Sequence, residues 1–193
     1  IVIAFPLMLF TIFYAKDCLI FLSGNEFIGA TLAMQIIAPT ILLIGLSNLL
    51  GIQVLTPLNK EKQLVYSVVA GALVDLILNI IFIPKMGAAG ASLGTLVAEF
   101  VVLTVQILYL KDLFFRIAKQ VQYGKIVLAL ILASMISIRC SSMVSVIFFK
   151  LAIAGITFFG SYGIVLLLTK ENFVNSYIFE EILKNKFWKK KGK

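Results

Sequence analysis

No histidine occurs in the 193 residues, and only two cysteines do, Cys18 and Cys140, with no metal-ligand spacing and no second pair. Zinc sites and histidine-based catalysis are thereby excluded. Charge is scarce too: 13% of the residues are Asp, Glu, Lys or Arg, about half the share found in soluble domains. Acidic residues are the rarest part of it, nine against seventeen basic ones, which leaves a net charge of +8. That surplus does not mark a nucleic-acid binder, because the basic residues lie between apolar runs and at the C-terminus rather than on an aromatic-interleaved face. The period-two alternation of a barrel strand is missing as well. The chain opens at Ile1 on a full hydrophobic run, without an initiator Met or the basic front of a signal peptide, and is expected to be a fragment truncated at its N-terminus.

What is present is apolar length. With 61% apolar residues and a mean hydropathy of +1.07, the chain is expected to have lipid as its main solvent. One crossing takes about 20 apolar residues, so there is room for about six. Six stretches can be marked off, at about 1–22, 27–55, 63–83, 87–110, 123–138 and 146–169. The expected fold is all-α, a polytopic transmembrane bundle of about six helices. It divides into four helices over 1–110, a cytoplasmic link over 111–122, a terminal helix pair over 123–169 and a basic tail over 170–193. Alternate links must lie on opposite sides of the membrane. One side collects Lys60 and Lys62, four basic residues between Lys111 and Lys125, and seven from Lys170 onward, thirteen in all. The other side has only Lys16, Lys85, Arg139 and Lys150. By the positive-inside rule the richer side is cytoplasmic, which places the C-terminus there. From Asn172 the tail sets Val174, Ile178 and Ile182 at fourfold spacing, with Trp188 leading into Lys189, Lys190 and Lys191. It is expected to lie along the inner headgroup layer with its lysines on anionic lipid.

Ionisable groups at the centre of a membrane helix cost about 2.5 to 3.5 kcal/mol each on insertion scales, so those that remain need an explanation. Asp75 lies mid-way along the third stretch and Asn79 one turn later on the same face. Facing a water-filled cavity, Asp75 can bind a cation, carry a proton or accept from a sugar hydroxyl; facing another helix, it is a packing group with a neighbour. Glu99, in the fourth stretch, is the second candidate. Gln35, Asn48 and Gln53 offer amides as sugar partners or as interhelical ties. Pro39 predicts a kink within the second stretch. Gly90, Gly94 and Ala98 form a small-residue face suited to close helix packing. The short link Pro84-Lys85-Met86 makes the third and fourth stretches an antiparallel hairpin. Lys16 and Asp17 read as a snorkelling pair near the outer end of the first stretch, and Arg139 as an outer anchor.

From Phe21 to Gln106 the sequence resembles the polysaccharide flippase branch of the multidrug/oligosaccharidyl-lipid/polysaccharide exporter superfamily. The strings that carry the resemblance are Leu22-Ser23-Gly24-Asn25-Glu26-Phe27, Ile44-Gly45-Leu46-Ser47-Asn48 and Leu55-Thr56-Pro57-Leu58-Asn59-Lys60-Glu61-Lys62. To these are added Gly71-Ala72-Leu73-Val74-Asp75 running on to Asn79, Ile83-Pro84-Lys85-Met86-Gly87, and Ala98-Glu99-Phe100. The resemblance covers roughly the middle half of the chain and implies the last six of about fourteen helices in a bacterial cytoplasmic-membrane protein. It also implies a non-enzymatic transporter, without a cofactor, that flips an undecaprenyl-diphosphate-linked oligosaccharide by alternating access for O-antigen, capsule or exopolysaccharide synthesis. Polysaccharide polymerase machinery is the implied protein partner. Asp75, Asn79, Glu99 and Asn48 become cavity-lining candidates. Asp75 departs from the family, which usually has Asn there, and brings H+ or Na+ coupling into question. The rivals are a cation-coupled drug antiporter of the same superfamily and a membrane polysaccharide polymerase. The short outer loops argue against the polymerase.

Overall fold

The computed structural model describes residues 1–169, and the tail helix expected from Asn172 lies outside the described residues. Within them the chain is all-α. Helices run over Ala4–Ser23 (α1), Thr31–Ile37 (α2), Thr40–Leu50 (α3), Glu61–Met86 (α4), Ala88–Tyr109 (α5), Lys111–Ala118 (α6), Tyr123–Ser141 (α7) and Ile147–Leu168 (α8). A 3-10 helix, Asn25–Ala30, leads into α2, and a π-helical turn, Gly51–Leu55, follows α3. Five helices (α1, α4, α5, α7 and α8) are long and apolar enough to cross a membrane. The Asn25–Ile37 and Thr40–Leu55 segments make a sixth span if the bent pair crosses as one. The protein is a multi-pass membrane protein with a polytopic helical bundle.

The bend in that sixth span is 40° and falls where Pro39 removes a ladder donor. Two other features differ from the sequence reading. α4 does not stop at Ile83 but carries Pro84 within its last turn and ends at Met86. Proline's fixed φ suits a helix, and so near the end its missing N–H disturbs little. The stop is Gly87, whose φ of 55° and ψ of −129° suit glycine alone and whose N–H donates to the Ile83 carbonyl at 2.8 Å. The 111–122 link, read in the sequence only as polar and cytoplasmic, carries α6 in its first two turns. A third irregularity, at Tyr14 (φ −106°, ψ 15°), kinks α1 without a local Pro or Gly. Gln35 of α2 donates to the carbonyl of Ile12, two residues before Tyr14, at 3.2 Å, which ties α2 to α1 beside the kink.

The chain divides into two compact units, one ending at Ala118 and one beginning at Lys119. In the first, burial is inverted relative to a soluble protein. The buried residues of α4 are Ser67 and Gly71, while Leu76, Ile77 and Ile80 are more than half exposed. On α5, Gly90, Ser92, Gly94 and Ala98 are buried. Lipid offers large apolar side chains a solvent as good as a protein core, so helices associate through small residues that let backbones approach. A Cβ at Gly90 would strike the backbone carbonyl of Phe82, and one at Gly71 would strike Val102. At one end of this unit Leu50, Leu55, Leu103 and Leu110 form an apolar plug, with Leu64 and Phe114 packed on it.

The second unit is the antiparallel pair α7 and α8. Every fourth residue of α7 is buried from Ala129 through Ala133 and Ser137 to Ser141, and on α8 from Ala154 through Phe158 and Tyr162 to Leu166. Ser137 Oγ donates to the Ala154 carbonyl at 3.0 Å across the seam. Ala133 is wholly enclosed. Ala133→Leu is therefore expected to destabilise the pair by about 2 kcal/mol through overpacking, whereas Ser137→Ala costs about 0.6 kcal/mol. Unfolding by SDS titration in mixed micelles measures both; equal losses would refute a seam held by close packing.

Candidate functional site

α4 and α5 form the hairpin, and α3 packs against α5 beside it, leaving a cavity of about 300 Å3 among the three helices. α3 contributes Ser47 and Asn48, α4 contributes Asp75, and α5 contributes Thr95, Glu99 and Gln106. The rest of the lining is aliphatic, from Ile44, Ile52, Leu64, Val68 and Val102 and the small residues Gly71, Ala72 and Ala98. Asp75, Glu99 and Asn48, predicted separately from sequence, thus share one cavity wall. The π-helical turn brings Ile52 to the same space, and such turns recur where a helix is reshaped around a site.

Asn79 is placed differently from the expectation that it lines the cavity. It lies one turn along α4, and its Nδ2 donates to Asp75 Oδ2 at 3.1 Å. That bond orients the carboxyl group and leaves the second oxygen, Asp75 Oδ1, buried without a protein donor. Asn79 Oδ1 is orphaned in the same way. Both oxygens look onto Gly94: a Cβ there would lie 2.6 Å from Asn79 Oδ1 and 3.4 Å from Asp75 Oδ1. Gly94 therefore does more than let two helices approach. It leaves space at the point where two acceptors converge.

Two carboxylates and no cation line the cavity among the described residues. Its field therefore repels anions and favours groups that donate, namely cations, amines and hydroxyls. The serine and the amides limit what else is on offer. Ser47 Oγ donates to the Ile44 carbonyl of its own helix at 3.2 Å. Gln106, which is 1% exposed, donates from Nε2 to Ser67 Oγ at 3.2 Å, and Ser67 passes its own hydrogen to the Leu64 carbonyl at 2.7 Å. Gln106 Oε1 remains a third buried acceptor without a donor.

Gln106, Thr95 and Ser47 did not stand out in the sequence. Gln106 carried a usable signal, since an amide seven residues after Glu99 recurs on its helix face and is costly inside an apolar span. Gln35 and Gln53 carried the same signal and are not in the lining; the first is committed to α1, and the second is exposed on the π-helical turn. Lys16 and Arg139 are exposed, and Cys18 and Cys140 are half-buried with free thiols. Comparison of the chain with protein-family models, with curated proteins and with solved structures gives no match.

Proposed function

We propose that the chain is the C-terminal part of a flippase that carries undecaprenyl-diphosphate-linked oligosaccharide across the bacterial cytoplasmic membrane for cell-surface polysaccharide synthesis, with its C-terminus cytoplasmic. The observation that carries this reading is the acceptor-rich cavity, in which Asp75, Glu99, Asn48 and Gln106 gather inside an otherwise apolar bundle. Sugar hydroxyls are donors, and carboxylates and amide carbonyls are what they pair with in a site shielded from water. The same field repels a diphosphate. On this reading the chain's cavity takes sugar, and the diphosphate is met by cationic residues of the remaining lobe. No covalent step is needed.

The orphan pair Asp75 Oδ1 and Asn79 Oδ1 favours a second reading, a cation-coupled antiporter of the same superfamily, in which the carboxylate cycles between H+ or Na+ and an exported amine. Vesicles containing the full-length protein separate the two. A fluorescent polyprenyl-diphosphate oligosaccharide is expected to become accessible to an external lectin. The flippase reading fails if the vesicles exchange an organic cation for H+ or Na+ and leave the oligosaccharide where it was loaded.

A further inference from the structure

α6 carries three charged residues within eight, Lys111, Asp112 and Arg116. Its eight residues span about 12 Å, far too little to cross a bilayer. Its two sides differ: Lys111, Asp112 and Arg116 occupy one, with Phe115 among them, and Leu113, Phe114 and Ile117 the other. It is also fixed in place. Leu110, buried and with a non-helical ψ of 24°, ends α5, and Phe114 N–H donates to its carbonyl at 2.8 Å. Phe114 then packs on the apolar plug made by Leu50, Leu55, Leu103 and Leu110. α6 is thus held at the very end of a membrane-crossing helix, within a turn of where the apolar span stops.

The plug uses only one part of the helix. On the apolar side Ile117 remains 44% exposed, with Leu113 half-buried one turn before it. The loop that enters α4 lies at the same end of the unit and adds an exposed Leu58 beside Lys60 and Lys62. Only Asp112 and Glu61 oppose the four cations of this rim. Apolar side chains interleaved with cations, at the depth where headgroups meet acyl chains, match one solvent: the interface of an anionic bilayer.

We infer that α6 is an interfacial anchor, its Leu113 and Ile117 turned toward the acyl chains and its Lys111 and Arg116, with Lys60 and Lys62, bound to anionic phospholipid headgroups. The inference is independent of what the bundle transports. Anchored in this way, α6 holds the end of α5 to which Leu110 joins it at the headgroup layer.

The test uses the whole chain with its single tryptophan, Trp188, replaced by Phe and a reporter introduced by Ile117→Trp. It is reconstituted in phosphatidylcholine vesicles, with or without phosphatidylglycerol, carrying bromine high on the acyl chains. Blue-shifted emission and bromine quenching that rise with phosphatidylglycerol and fall with salt are expected. Arg116→Gln should lower the ratio of docked to undocked helix about fivefold, and Lys111→Gln with it a further fivefold. A second reporter, Phe100→Trp on the exposed face of α5, must stay quenched by deep bromine in every variant, which separates lost docking from lost insertion. Water-like emission in both lipids would show a solvated linker and overturn the inference. Blue emission without bromine quenching would show a protein contact, and quenching indifferent to lipid charge and salt would show no headgroup role; either also overturns it.

Discussion

Gly90→Val is expected to lower the stability of the folded chain by about 3 kcal/mol, near the upper end of overpacking costs. A Cβ at Gly90 meets the main-chain carbonyl of Phe82, not the yielding tip of a side chain. Relief therefore requires α4 and α5 to move apart near their turn. Gly87 there offers little freedom, because it already sits at a φ of 55°. Once the hairpin opens, the lost packing is not replaced by apolar burial, since lipid is as apolar as leucine. Gly45→Ala is the comparison. Nothing lies within 4 Å of a Cβ at Gly45 inside α3, so alanine there should be neutral or stabilise by up to about 1 kcal/mol through reduced backbone entropy in the unfolded chain. SDS titration of both variants in mixed micelles decides the matter. A Gly90→Val midpoint level with that of the parent would show that the two backbones are not in close contact at this level.

The features readable from sequence are those encoded by composition or by a local rule. The apolar runs mark α1, α4, α5, α7 and α8 because a span needs about 20 such residues whatever its partners. Pro39 marks a break because its ring acts on its own helix. Other features depended on tertiary context. Pro84 looks the same as Pro39 in the sequence, yet it ends nothing, because its disturbance falls in the last turn of α4 and Gly87 supplies the stop. The kink at Tyr14 has no local cause in the sequence. The α7–α8 seam is written in alanine and serine at fourfold spacing, a weaker signal than glycine and easily lost in an apolar run.

The same division runs through the candidate site. Rarity alone picked out Asp75 and Glu99, as any charge in a span is costly. That both line one cavity with Asn48 follows from the antiparallel hairpin and the packing of α3 beside it, neither of which specifies rotation about a helix axis. Rotation is set by the small residues: Gly71 turned toward Val102 and Gly94 toward Asn79 fix which faces of α4 and α5 meet. Asn79 shares a face with Asp75, as the spacing requires, but its amide is committed to the carboxylate and not to the cavity. Gln35, Gln53 and Gln106 are equivalent as symbols. Burial alone separates the cavity residue Gln106 from the interhelical tie and the exposed amide.

Asp75→Asn in the full-length protein is expected to preserve the fold, raise stability by about 1 kcal/mol and, on the proposed transport function, weaken the response of transport to pH or sodium. The stability effect follows from the orphaned oxygens. An asparagine at this position can accept from Asn79 Nδ2 as the carboxylate does, and its own amide hydrogens then reach toward Asn79 Oδ1, which is now buried without a donor. Satisfying a buried acceptor contributes about 1 kcal/mol, and the cost of holding a charge in the span disappears as well. The functional effect follows from chemistry that the amide lacks. A carboxylate with one oxygen held by Asn79 and the other unpartnered beside Gly94 can take up a proton or sodium ion; a neutral amide cannot be protonated near neutral pH and binds sodium far more weakly. The titratable group facing it from α5 is Glu99, while α3 brings only Ser47 and Asn48, so no cation in the lining competes for Asp75. Transport driven by a proton or sodium gradient should then fall about tenfold, within the range of ordinary coupling free energies, while transport without a gradient persists. Glu99→Gln in parallel assigns the coupling group. If Asp75→Asn keeps the parent's pH and sodium dependence and Glu99→Gln loses it, coupling resides at Glu99, and Asp75 is left with the hydrogen-bonding role that an asparagine can also fill.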